Sequence, residues 1–293
     1  MLIDGRALAG EVLEELTETV KRLAKVPRLS IVDFGTEDTP SAFVRQKLLA
    51  CERIGVECRR YVMPPDISAT VFSGRLNDVV RETHTDGVIV QLPLPKILDE
   101  NRYGILRIIP EDRDVDCLSE HWLGRLQTGR TQLRLRHGEA ELLPPVTAAI
   151  EHIVDKEDIT LAGRRVVVVG WGDLVGKPSA AWFLHQGATV TVVRKAEKDL
   201  AELTRQADIL VVGTGQAGLI TGDMVGENAI VFDAGASEVS GTAVGDVEQD
   251  SVAKKAALLT PVPGGLGPLT VAMLLKNLTA LTAARSGFRA TSD

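Results

Sequence analysis

The segment Gly170-Trp171-Gly172-Asp173-Leu174-Val175-Gly176 joins an apolar run, RRVVVVG (164–170), to a stretch opened by Pro178. Glycines between a strand and a helix permit a tight bend and let a phosphate approach the backbone. The helix start then offers free N–H groups and the positive end of its dipole to an anion. A glycine turn alone is weak evidence, but here it stands between a strand and a helix, the setting of a dinucleotide site. The next strand, ATVTVVR (188–194), runs into Arg194-Lys195. An NAD site usually has Asp or Glu there for the ribose hydroxyls. Arg and Lys suit a 2′-phosphate through charge-assisted hydrogen bonds, so NADP is the expected cofactor. The alternative is that both side chains are merely solvated, in which case NAD and NADP would bind equally. Thr214 and Gly215, ending ADILVVGTG (207–215), complete the candidate cofactor set.

These residues need strands and helices to hold them. Leu8, Val12, Leu16, Val20 and Leu23 recur at helical spacing over 6–26. LSIVDF (29–34) reads as a strand, 41–54 as a helix, VECRRYVM (56–63) as a strand, 67–83 as a helix and GVIVQLPLP (87–95) as a buried strand running into a proline stop. Strands alternating with helices imply a parallel α/β sheet. TQLRLRHGEAELL alternates polar and apolar around His137-Gly138, which predicts a small hairpin. A domain boundary falls near 145–160. Beyond it the strands 164–170, 188–194, 207–215, AIVFDAG (229–235) and a short one before TPVPGG have the spacing of a doubly wound sheet, and 268–284 is a last helix.

Bulk properties exclude several classes. The 293 residues are 44% hydrophobic and 25% charged, with a net charge of -7. An acidic balance argues against a general nucleic-acid binder. The first residues do not read as a signal peptide, and no stretch is expected to reach the ~20 apolar residues of a membrane span. Cys51, Cys58 and Cys117 lack the paired spacing of a zinc site, so reduced thiols in a cytosol and no metal are expected.

Four stretches in order resemble the methylenetetrahydrofolate dehydrogenase/cyclohydrolase family. They are PSAFVRQKLLACERIGV (40–56), DGVIVQLPLP (86–95), DVD (114–116) with GRL (124–126), and TPVPGGLGPLT (260–270). GWGDLVGKP and GDV (245–247) fit the same order. The resemblance implies two α/β domains flanking a cleft. Residues 1–147 would hold folate, with the last helix (268–285) packing back onto them. Residues 148–267 would form a Rossmann-like doubly wound parallel sheet that binds NADP. The implied chemistry is oxidation of 5,10-methylenetetrahydrofolate to the methenyl form, then hydrolysis to 10-formyltetrahydrofolate, in a cytoplasmic homodimer.

The resemblance also assigns roles. The catalytic lysine falls on Lys47; a lysine desolvated by a folate ring could move protons near neutral pH. By position alone Lys47 would read as a solvated helix residue. Gln91 matches the glutamine that accompanies the lysine, positioning it or the attacking water. Asp116 matches the acid that holds the pterin, since a carboxylate accepts two N–H donors. Asp114 is the second candidate, and it also reads as a turn aspartate bonded to backbone. Phe43, Pro263, Gly264 and Gly265 complete the substrate set, the glycines letting backbone approach a flat ring.

The chain departs from the family pattern around the same residues. Phe43 stands where the pattern has Tyr, keeping the stacking surface and losing the hydroxyl. Pro40 replaces a serine, PEDRDVDC has Arg113 for Lys and Cys117 for Gly, and PPVT (144–147) replaces PCTP. Trp171-Gly172 replaces an Arg-Ser type of pair, and the 124–144 link is long. A non-catalytic folate- or nucleotide-binding relative, or a dehydrogenase for another substrate, are the competing readings. If the lost phenol limits hydrolysis, Phe43→Tyr is expected to raise methenyl hydrolysis more than hydride transfer; equal changes in the two rates would remove that explanation.

Overall fold

The structure, a computed structural model, describes every residue except 35, 37–39, 195–196, 240–241 and 290–293. Contacts divide the chain into a lysine unit, residues 11–145 with 271–293, and a glycine-turn unit, residues 1–10 with 146–270. The sequence assigns residues 1–10 to the first domain, but they group with the glycine-turn unit. The reason is backbone pairing: Ile3 N–H donates to Leu259 O at 3.0 Å and Leu259 N–H to Met1 O at 2.9 Å.

In the lysine unit, helix α1 (Gly5–Arg22) leads to β1 (Arg28–Asp33), α2 (Ala42–Ile54), β2 (Glu57–Val62), α3 (Ala69–Arg81) and β3 (Gly87–Val90). The sheet order is β2-β1-β3, all parallel. Strand parity separates two faces. Val32, Val88 and Val90 pack with Phe72, Leu76 and Val80 on the α3 side. Leu29, Ile31, Asp33, Cys58, Arg60 and Ile89 have the other parity and face α2. Strand β3 stops at Val90, short of the expected 95. Gln91 N–H still donates to Val32 O at 2.8 Å, but Pro93 and Pro95 have no N–H to continue the ladder. Short helices α4 (Lys96–Asp99), α5 (Arg102–Leu106) and α6 (Glu120–Gln127) follow, then the antiparallel hairpin β4 (Gln132–Leu135) and β5 (Gly138–Glu141).

The glycine-turn unit contains α7 (Pro145–Lys156), β6 (Arg165–Val169), α8 (Gly176–His185), β7 (Thr189–Val193), α9 (Leu200–Arg205), β8 (Ile209–Val212), β9 (Ile230–Asp233), β10 (Ser237–Val239), β11 (Thr242–Val244), α10 (Gln249–Val252) and β12 (Leu258–Thr260). Its sheet runs β12-β9-β8-β6-β7, all parallel. The order reverses between β6 and β8, which makes it doubly wound; the lysine-unit sheet reverses likewise between β1 and β3. In such sheets ligands bind beyond the strand C-termini at the switch point.

Helix α11 (Leu266–Ser286) ends the fold. Contrary to the sequence expectation, it is long and apolar enough to cross a membrane by length and composition, yet 67% of that stretch is buried inside the protein. Leu274, Leu275, Leu278 and Leu281 are buried, as expected of a core helix apolar on all sides. Asn277 Nδ2 donates to Val115 O at 2.9 Å and to Leu143 O at 2.8 Å, fixing the helix against the loop around 115. Its C-terminal end is pinned through Asp86, whose carboxylate is fully buried. Asp86 Oδ1 lies 2.5 Å from Lys25 Nζ and 3.1 Å from Arg285, and Oδ2 accepts the Arg28 N–H at 3.1 Å. Removing one member of a buried ion cluster leaves its partners uncompensated. Asp86→Ala is therefore expected to lower unfolding free energy by about 3 kcal/mol in urea titration; a loss under about 1 kcal/mol would mean the cluster is solvated in practice.

Candidate active site

Ser41 caps α2, its hydroxyl accepting the Val44 N–H at 3.3 Å. The first turn then carries Phe43, 50% exposed, and Lys47 follows one turn later on the same face. Lys47 Nζ donates to Gln91 Oε1 at 2.8 Å, joining α2 to the end of β3. Gln91 Nε2 donates to Leu92 O at 2.8 Å, which fixes the amide's orientation. Asp116 stands close enough to Lys47 to feel its charge: burial raises the Asp116 carboxyl above its ordinary value, and the lysine's charge opposes the rise. Among the described residues, none hydrogen-bonds the Asp116 side chain. The fold thus gathers Lys47, Gln91 and Asp116 at the switch point of the lysine-unit sheet, leaving a carboxylate free to take donors from a ligand.

Asp114 has the other role weighed for it. It is buried, and its oxygens accept the N–H groups of Leu118 at 3.3 Å and Ser119 at 2.8 Å. Its lone pairs are spent shaping the turn. Cys117, where the family pattern has Gly, adopts φ 54°. That left-handed conformation suits glycine and costs another residue roughly 1 kcal/mol. The substitution is accommodated with its sulfur buried, 3.8 Å from Asn277 Nδ2.

In the other unit, the turn after β6 is built from mutually packed glycines. Gly170 has φ 108°, and a Cβ there would lie 2.3 Å from Gly213 O. A Cβ on Gly176 would lie 2.1 Å from Gly170 O, and one on Gly213 would lie 2.6 Å from Val175. Asp173 is buried and lies 2.5 Å from Lys177 Nζ. Trp171 is 46% exposed, and nothing lies within 4 Å of the Cβ position at Gly172, so the turn has an open side. Arg194, the residue after β7, is exposed, and its side chain bonds no other described residue; Lys195 lies outside the described residues. This backbone cradle with a nearby free guanidinium fits a dinucleotide carrying an extra phosphate.

Thr214 and Gly215 are held by Asp246. Asp246 Oδ2 accepts the Thr214 N–H at 2.5 Å, the Thr214 hydroxyl at 2.9 Å and the Gly215 N–H at 2.9 Å. Those donors are engaged within the protein, so the pair shapes the loop after β8. Pro263, Gly264 and Gly265 follow β12. Gly264 has φ 106°, Gly265 N–H donates to Pro261 O at 2.7 Å, and Gly5 packs directly on the Gly265 carbonyl.

A doubly wound sheet with a glycine turn, and a second α/β unit with an amine–amide–carboxylate group at its switch point, define a nucleotide-dependent α/β enzyme class. Residues 3–116 match the profile of the tetrahydrofolate dehydrogenase/cyclohydrolase catalytic domain, and residues 144–286 that of its NAD(P)-binding domain. A bifunctional protein FolD of Exiguobacterium sp. is 40% identical over 280 residues, covering 94% of this chain and 96% of that protein. The solved bifunctional FolD methylenetetrahydrofolate dehydrogenase/cyclohydrolase of Campylobacter jejuni superposes with a TM-score of 0.86 at 34% identity, covering 96% of this chain and 98% of that one. The Trypanosoma brucei methylenetetrahydrofolate dehydrogenase-cyclohydrolase, complexed with NADP cofactor and inhibitor, gives 0.85 at 32% identity, covering 96% and 97%. The chain belongs to the tetrahydrofolate dehydrogenase/cyclohydrolase family.

Sequence reasoning gave no role to Asp33, Arg60 or Asp246. An aspartate ending an apolar strand (IVD) or following a glycine (GDV) was the available signal. Asp114 carries a measurable consequence. Burial raises its carboxyl from 3.8 to about 6, opposed by the N–H and hydroxyl of Ser119 and helped by the charge of Asp116. A carboxyl raised in the folded state favours folding when protonated, so its contribution is full below pH ~4 and is lost as pH rises through about 6. Relative to Asp114→Asn, the wild-type protein is expected to lose roughly 3 kcal/mol of stability between pH 4 and 7. Parallel pH profiles for the two proteins in urea titration would contradict this.

Proposed function

We propose that this chain is an NADP-dependent methylenetetrahydrofolate dehydrogenase that also hydrolyses the methenyl product, with hydrolysis weakened by Phe43. The 2.8 Å contact between Lys47 and Gln91, beside Asp116, carries this reading. The named activities of the relatives and the near-complete coverage of the chain support it. So does the glycine cradle with Arg194.

Residues of the lysine unit do the folate chemistry. Asp116 takes N–H donors from the pterin edge and sets its orientation, and Phe43 offers the ring a stacking surface. NADP, when bound, accepts the hydride that leaves the methylene carbon. Gly170, Gly172 and Gly176 would hold its phosphates and Arg194 its 2′-phosphate, with Trp171, Asp173 and Val175 completing the turn. Thr214 and Gly215 set the neighbouring loop through Asp246.

In the hydrolytic half, water adds to the cationic methenyl carbon and loses one proton; the hydroxyl so formed then gives up its proton as N5 takes one, and the bond from that carbon to N5 breaks to leave the N10-formyl group and an N5–H. Lys47 handles the proton at Nζ, and Gln91 fixes where that amine points. Without a phenol at position 43, these two residues act alone, which is why hydrolysis is the weaker step. The same reading makes the protein a cytoplasmic homodimer with no membrane or nucleic-acid partner. The family resemblance supports the dimer, and the excess of acidic over basic residues, 40 against 33, supports the lack of a nucleic-acid partner.

The test is an absorbance assay that follows methenyl formation and decay separately, with NADP and then NAD. Formation with NADP, faster than with NAD, is expected; no methenyl product and no NADPH would overturn the reading. Lys47→Met is expected to slow hydrolysis by about 100-fold or more, in the range of lost general acid–base catalysis. Its NADP affinity should match wild type within about twofold, since the cofactor residues lie on the other unit.

A further inference from the structure

Asp33 ends β1 with a carboxylate that the chemistry above leaves unused. Its side chain is 4% exposed. Oδ2 accepts from Arg60 Nε at 3.0 Å, while Oδ1 is buried with no hydrogen-bond partner. Arg60 also donates to the Thr36 carbonyl at 2.6 Å, so it ties Asp33 to the segment leading into α2. A buried carboxylate oxygen without a donor is costly and calls for an explanation.

The register supplies one. Val32 lies beside Val90, and Gln91 N–H donates to Val32 O at 2.8 Å. Continuing by one residue sets Asp33 beside Gln91, on strands about 4.8 Å apart. Both side chains have the parity that faces α2, as the Lys47–Gln91 bond requires. The Gln91 amide spends Oε1 on Lys47 and one of its two N–H groups on Leu92 O. Its other N–H is unspent. A carboxylate accepts and cannot donate. An amide next to one turns its NH2 towards it and its carbonyl away.

We propose that Asp33 is a positioning residue of the hydrolytic site: its Oδ1 takes the spare Gln91 N–H through one water, and so helps hold the Gln91 carbonyl on Lys47. The inference rests on Lys47 and Gln91 being the hydrolytic pair. Arg60 occupies the other oxygen, leaving Oδ1 as the oxygen of Asp33 without a partner, on the residue that the register sets beside Gln91. Leu92 O holds one N–H of the amide; the second hold, on Oδ1, adds to it and further disfavours the turned-over amide, whose NH2 would face the lysine amine and misdirect the proton.

The experiment is a double-mutant cycle on the full chain, with Asp33→Asn, Gln91→Ala and both together, read in hydrolysis of methenyltetrahydrofolate and in hydride transfer. Asp33→Asn is expected to lower kcat for hydrolysis about tenfold, the scale of lost outer-shell positioning, with KM within about twofold. In the Gln91→Ala background the same change should do nothing further. An equal loss in both backgrounds would mean Asp33 acts independently of Gln91 and would overturn the proposal. So would a wild-type rate in Asp33→Asn, or hydride transfer without any hydrolysis in the unaltered protein. If Asp33→Asn does not fold, a high-resolution crystal structure of the unaltered protein decides. The Gln91 NH2 turned to Asp33 supports the proposal, and the carbonyl turned there overturns it. Wild-type protein inactive in both assays sinks the functional reading itself, whereas an active wild type with an indifferent Asp33 sinks this inference alone.

Discussion

An amine and an amide oxygen 2.8 Å apart, Lys47 Nζ and Gln91 Oε1, are the contact around which the lysine unit is arranged. Neither residue could find the other from local structure, since they are 44 positions apart. Three devices bring them together. Ser41 starts α2 at the right place, Pro93 and Pro95 end the ladder so that Gln91 is the first residue beyond β3, and β1 lies between the two outer strands. The Asp86 cluster and Asn277 then lock α11 against the same sheet.

The carboxylates divide by how fully their oxygens are used. Asp246 shapes the loop after β8 through Oδ2 alone, whereas Asp114 accepts backbone N–H groups on both oxygens and shapes its turn. Asp233 does the same for the bend after β9, taking N–H groups from Gly235 at 2.8 Å and Val247 at 3.0 Å, and burial raises its carboxyl to about 6. Asp116 has no protein donor among the described residues, and Asp33 and Asp246 each keep one buried oxygen unfilled. Asp114 and Asp233 build the scaffold; Asp246 does so with one oxygen, and Asp116 and Asp33 retain acceptor capacity beside Lys47 and Gln91. Identical side chains thus serve opposite ends, and the donors around each decide which.

Much of this was legible beforehand. The β–α alternation, the hairpin around His137-Gly138 and the strand into the glycine turn all follow from periodicity and turn residues. The lysine, glutamine and acid were legible only through long matching stretches, because a helix lysine has no local mark of chemistry. The helices α4, α5 and α7 were not anticipated: the first two span only 4 and 5 residues, too short for an apolar period to register. Asp114 and Thr214 could not be resolved from sequence either. Whether an oxygen faces a ligand or a backbone N–H is set by how loops fold over it, as with Ser119 over Asp114.

The glycine turn constrains how such a chain can change over generations. Gly170, Gly176 and Gly213 each have backbone or a packed valine where a side chain would begin, so no neighbouring rotamer can make way. Variation is left to positions with empty space outside them, Trp171 and Gly172. Ancestry could therefore retune what the loop presents to a ligand while leaving the loop's path untouched.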